Sequence, residues 1–197
     1  MSKLEVSGHD FSRAIRDSEK WRALATAMSI PSRPSDLSNA SFCPRTFFVT
    51  TRTAGGRSLF QTDRMAALFI EVLRTYMRSG KMTVHDFVIM PNHVHILMTV
   101  PGEMSIEKAM QLIKGSFSFR ASNELGFCGE IWQRGYSDVR ILDDKSFQQH
   151  REYIENNPVK AGLANRPDEY PYGTAYLKKQ KHAGAKAHEL GVAERHD

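Results

Sequence analysis

The spacing of apolar residues changes several times along the chain, and each change marks an element. "RTFFVTTR", residues 45–52, is rich in aromatic and β-branched residues and predicts a strand, followed by the loop "TAGGRS". Over residues 62–79, Met65, Leu68, Phe69, Val72, Leu73 and Tyr76 recur at helical spacing, with Thr62 placed to cap the helix and Gly80 to stop it. "MTVHDFVIM" and "HVHILMTV" are two strands joined by a short Pro-Asn turn, the pattern of a hairpin. "SIEKAMQLIKGSFSFRASNEL" predicts a second helix, with Ile106, Ala109, Met110, Ile113 and Phe117 in register and Ser105 as its cap. "IWQRGYSDVRIL" predicts a fourth strand. A last helix is expected over residues 144–157, capped by Asp143 or Asp144 and ended at Asn157, because a proline disfavours helical geometry in the residue before it.

The order β-α-β-β-α-β predicts an α+β, ferredoxin-like split βαβ domain with an antiparallel sheet and an added C-terminal helix. This domain is expected to occupy residues 42–176. Residues 1–41 read as an accessory arm: a ragged helical set (Phe11, Ile15, Trp21, Leu24, Met28), then the linker "PSRPSDLSNAS". Residues 177–197 are polar, Ala/Gly-rich and lack an apolar stripe, which predicts a loose tail or one ordered on binding.

Composition changes this picture little. The 197 residues are 41% hydrophobic and 25% charged, ordinary for a globular protein. A net charge of +5 and a pI near 9.3 permit a polyanionic partner, but acids and bases are interleaved and no basic block stands out. Two cysteines, Cys43 and Cys128, supply neither a disulfide framework nor metal-type spacing. No apolar run is long enough for a membrane span, and the N-terminal stretch is too polar for a secretory signal, so a cytoplasmic protein is expected.

The chemistry concentrates in "VIMPNHVHILM", residues 88–98. Side chains at i and i+2 of a strand share a face, so His93 and His95 project side by side while Val94 and Ile96 point the other way. Two imidazoles on one face can share a divalent ion, given a third ligand; they can equally be hydrogen-bonded strand residues. On the last helix Tyr153 and Asn157, four apart, share a stripe with Gln149, while Phe147 and Ile154 form a neighbouring, core-facing one. Spacing alone leaves open a half-buried tyrosine and a helix-capping asparagine.

"MPNHVHIL" followed by "YIENNPVKAGLA" resembles the single-tyrosine HUH transposases (U being a hydrophobic residue), and among them the REP-associated tyrosine transposases. "FFVTTRTAGGRSLF", "IKGSFSFR", "WQRGYSDVRI" and "RPDEYPYGTAY" extend the likeness over residues 44–176. The resemblance implies a metal-dependent single-stranded DNA endonuclease and strand transferase working through a 5′-phosphotyrosine. It places Tyr153 as nucleophile and His93, His95 and Asn157 as metal ligands, with Mg²⁺ or Mn²⁺ as the ion and no nucleotide cofactor. The chemistry is sound: a phenol of pKa near 10 is about 4 kcal/mol from ionised at pH 7, a deficit that a cation at the phosphate offsets in part.

The implied partner is single-stranded or hairpin DNA in the nucleoid. Arg52, Arg57, Lys114, Arg120, Arg134 and Arg140 are candidates for phosphate contact, and Phe119, Trp132 and Tyr136 for stacking on unpaired bases. A monomer is favoured over a dimer with swapped tyrosine helices, and the arm is expected to clamp DNA or cover the site. The histidine-triad hydrolases are disfavoured because Leu97 stands at the next alternate position, and two-histidine phosphoesterases because "HVH" has no matching pair. The reading from another class is a regulatory protein that grips a DNA hairpin without cutting it.

Overall fold

The computed structural model describes residues 43–193, with side-chain surroundings given for residues 43–183. The arm expected over residues 1–41 lies outside the described residues. Four strands, β1 (Arg45–Arg52), β2 (Thr83–Met90), β3 (His93–Val100) and β4 (Ser137–Ile141), form one antiparallel sheet in the order β2-β3-β1-β4. Four helices accompany them: α1 (Asp63–Arg78), α2 (Ile106–Leu125), α3 (Asp144–Lys160) and α4 (Thr174–Ala193). The α+β split βαβ arrangement read from the sequence is the fold.

Strand alternation sorts residues between the two faces of the sheet. Phe47, Val49, Val94, Ile96 and Met98 pack against α1 and α2 in the main core, where Phe69, Val72, Ile113 and Phe117 are fully enclosed. Burying side chains of this size is worth roughly 1.5–3 kcal/mol each, so this layer carries most of the stability. The opposite face is covered by α3 over a smaller apolar cluster containing Val88, Leu97, Ile141 and Ile154. The odd residues of β3 therefore face α3. Ser105 Oγ accepts from Lys108 N to cap α2, and Asp143 accepts from Ser146 N to cap α3.

Three boundaries differ from expectation. The fourth strand is confined to Ser137–Ile141; before it, Gly135 takes a left-handed φ of 78° and Trp132 makes only an isolated bridge to Thr53. The helix expected to end at Asn157 runs on to Lys160 with Pro158 inside it. The proline withdraws one donor, but its ring is buried, and the carbonyls of Asn157, Pro158 and Val159 all find donors at Ala161, Leu163 and Gly162. Of the segment expected to be a loose tail or one ordered on binding, the described residues 177–193 lie within α4. Its Ala, Lys, Gln, Glu and Leu residues are strong helix formers, and its first turn is anchored where Thr174 Oγ1 hydrogen-bonds the backbone of Phe87 and Lys178 pairs with Asp86.

Candidate active site

His93 and His95 open β3 directly after the Pro91-Asn92 turn, paired across the sheet with Arg52 and Thr50 on one side and Met90 and Val88 on the other. Their ring centroids are 4.8 Å apart. Each has its Nδ1 engaged: His93 Nδ1 donates to Asn92 Oδ1 at 2.7 Å, and His95 Nδ1 lies 2.8 Å from Thr50 Oγ1. For His93 this leaves Nε2 with the lone pair, the arrangement that presents an imidazole as a ligand, and the same holds for His95 when its Nδ1 donates to Thr50 Oγ1. Burial, then the Arg52 charge, lowers His93 to a pKa of about 4, and burial followed by His93 and Arg52 holds His95 well below the ordinary value. Both rings are neutral at physiological pH.

α3 brings Tyr153 against this pair. Its ring centroid is 5.1 Å from that of His95 and 5.8 Å from that of Phe48, edge-on to both. Burial raises the phenol above its usual pKa, while a hydrogen bond with the Asn157 side chain and the charge of Arg52 pull it down. Lys160 Nζ stands 5.6 Å from the centre of the same ring. His93, His95, Tyr153 and Asn157 are thus gathered on one face of one chain.

Among the described residues no group of three or more His, Cys, Asp or Glu side chains is arranged to hold a metal. A cation here would draw on two neutral imidazoles, an amide and oxygens from outside the protein. That donor set fits Mg²⁺ or Mn²⁺, the nitrogens favouring Mn²⁺.

Sequence reasoning missed several members of the site. Phe48 forms its floor, stacked on His95 at 5.4 Å and tilted against His150 at 4.7 Å. Thr50 and Asn92 orient the two imidazoles. The signal was present: Phe48, Thr50 and Arg52 alternate along β1 opposite Leu97, His95 and His93, and Lys160 follows Tyr153 by two helical turns.

The candidates for DNA contact divide. Arg52 is half-buried beside the histidines, close enough for its charge to act on His93, His95 and Tyr153. Arg57 is tied to the carbonyls of Ala54 and Glu130. Lys114 donates to the carbonyls of Gln133 and Gly135, and Arg120 pairs with Glu124. Trp132 sits in the core among Phe60, Phe69 and Phe117, its indole N–H on the Lys114 carbonyl, so its ring is not presented for stacking on a base. Tyr136 is half-buried and its phenol is raised by burial, then by Glu107 and Asp138. Arg134, Arg140 and Phe119 are exposed, Phe119 to 70%. No described helix is long and apolar enough to cross a membrane.

A split βαβ sheet bearing paired histidines, faced by a tyrosine on an added helix, defines the class. Residues 47–157 match the family described as transposase IS200 like, and the chain belongs to that family. It is 26% identical over 132 residues to the REP-associated tyrosine transposase of Escherichia coli K12, covering 66% of this chain and 75% of that protein. A putative REP-associated tyrosine transposase of Haemophilus influenzae is 26% identical over 142 residues, covering 62% of this chain and 81% of that one. Among solved structures, a REP-associated tyrosine transposase bound to a REP hairpin superposes with a TM-score of 0.57 at 24% identity, over 76% of this chain and 84% of that one.

Proposed function

We propose that this transposase-family protein is a metal-dependent single-stranded DNA endonuclease and strand transferase. It acts at hairpin-containing DNA in the nucleoid through a 5′-phosphotyrosine on Tyr153. The observation that carries the proposal is Tyr153 standing 5.1 Å, ring to ring, from His95 of its own chain. The choice of hairpin DNA is supported by a structurally similar protein solved bound to a REP hairpin.

Bound Mg²⁺ or Mn²⁺, held by His93, His95 and Asn157, would polarise the scissile phosphate and offset charge developing on it. The protein's own residues do the rest. Thr50 and Asn92 keep the imidazoles turned to present Nε2. Asn157 orients the phenol and, with Arg52, makes its deprotonation less costly. Tyr153 Oη then forms a bond to phosphorus while the bond from phosphorus to the 3′ oxygen breaks, and that oxygen leaves as a 3′-hydroxyl after taking up a proton. Attack of another 3′-hydroxyl on the phosphotyrosine reverses the exchange and frees the phenol. One phosphodiester replaces another, so no nucleotide cofactor is required.

The test is incubation of the protein with hairpin oligonucleotides from the DNA flanking its gene, with Mn²⁺ or Mg²⁺, followed by a denaturing gel. A covalent adduct that requires both the metal and Tyr153 is expected, and Tyr153→Phe keeps hairpin binding while losing the adduct. Hairpin binding by the wild type without adduct in either metal would replace this reading with that of a non-cleaving regulatory binder.

A further inference from the structure

Asp86 is a carboxylate only 1% exposed, on a strand that otherwise packs apolar residues. A register irregularity between Val84 and Asp86 puts it there. Val84 and Phe87 both join the α1/α2 core although they are three residues apart, which unbroken alternation forbids. The extra residue lets His85 and Asp86 both lean toward α3, where His85 meets the Phe147 ring and Asp86 meets Arg151. A bulge that re-aims a side chain beside a site is a familiar device of sheets.

Two cations from two helices converge on this one carboxylate. Lys178 Nζ of α4 hydrogen-bonds Oδ1 at 2.8 Å. Arg151 Nε of α3 faces Oδ2 at 3.1 Å as an ion pair without hydrogen-bond geometry, with Glu155 a weaker second partner at 3.8 Å. Arg151 precedes Tyr153 by two residues, and Val88, two beyond Asp86, pairs directly with His95. The carboxylate therefore joins the helix that carries the tyrosine to the strand beside the histidines. An enclosed charge that loses a partner is costly, so the pairs resist separation.

We propose that Asp86 is a positioning residue, whose buried carboxylate clamps α3 and α4 onto β2 and sets the reach of Tyr153 toward the histidine pair. The clamp rests on the reading of Tyr153 as nucleophile, but its effect on α3 is measurable without it. Asp86→Asn and Arg151→Met each lower the rate of adduct formation at saturating hairpin by between about tenfold and a hundredfold, the range a displacement near 1 Å produces. Hairpin affinity stays within about twofold, because a positioning defect acts on the bond-making step more than on binding. Arg151→Lys restores most of the rate. Hydrogen exchange of the folded variants rises in α3 and stays unchanged in α1 and α2. A change in exchange spread over the whole domain, or adduct rates in both variants equal to wild type, would overturn the proposal. If Asp86→Asn does not fold, Arg151→Met alone decides. If the wild type forms no adduct, the nucleophile reading fails separately, and exchange in α3 judges the clamp.

Discussion

The two faces of the sheet obey different rules. Toward α1 and α2 the chain presents a continuous apolar layer, with Val94, Ile96 and Met98 fully enclosed against Phe69, Ile113 and Phe117. Toward α3, strands β1, β2 and β3 present Thr50, Asp86, His93 and His95 amid a smaller apolar cluster. A single strand, β3, serves both, because alternate residues belong to opposite faces. The first face buries the larger apolar layer, while the second holds neutral imidazoles and a buried carboxylate that add little to stability or cost some.

The comparison breaks first at the core. Phe117→Ala is expected to cost about 3–5 kcal/mol in urea unfolding, whereas Phe48→Ala, on the half-buried floor of the site, costs about half as much and mainly disturbs the imidazoles. Equal costs would show that the division of labour is wrong. Next in size is Phe119→Ala. If this exposed ring stacks on an unpaired base, hairpin affinity falls by about 1–3 kcal/mol with folding stability unchanged, which a binding titration reads.

A dependence on pH sharpens the contrast in another way. His93 and His95 both titrate below the ordinary histidine value of 6.5, His93 at about 4. Between these limits the unfolded chain binds more protons than the folded one. Without metal, their contribution is complete above the unfolded value and is lost as pH falls through the folded values. Unfolding free energy of the metal-free protein is therefore expected to decline from pH 6.5 toward 4, and to decline less in a His93→Asn, His95→Asn double variant.

Much of this was legible in the sequence, for identifiable reasons. The helix over residues 62–79 declared itself because its periodicity matches one buried face, and the hairpin because two strand-like apolar runs flank the Pro91-Asn92 turn. Spacing tells which side chains share a strand face or a helical stripe, but the roles of the histidines and Tyr153 rest on the resemblance of "MPNHVHIL" and "YIENNPVKAGLA" to the single-tyrosine HUH transposases. What escaped depends on contacts distant in sequence. Trp132 looks like a stacking platform until the fold wraps Phe60, Phe69 and Phe117 around it. Pro158 reads as a helix end until the burial of its ring and the donors at residues 161–163 are known. The segment after Tyr176 has no apolar stripe to announce it, since what anchors it is Lys178 reaching a carboxylate ninety-two positions earlier. The placement of Asp86 hangs on a bulge that alternation in "MTVHDFVIM" does not reveal.

The central claim is that the α3 face performs chemistry at one atom, the Tyr153 hydroxyl. Its most direct test is mass spectrometry of tryptic peptides after incubation with a flanking hairpin and Mn²⁺. The account predicts that the peptide Glu152–Lys160 carries a 5′-linked nucleotide fragment on Tyr153. The same fragment on another residue, or cleaved DNA with that peptide unmodified, would contradict it.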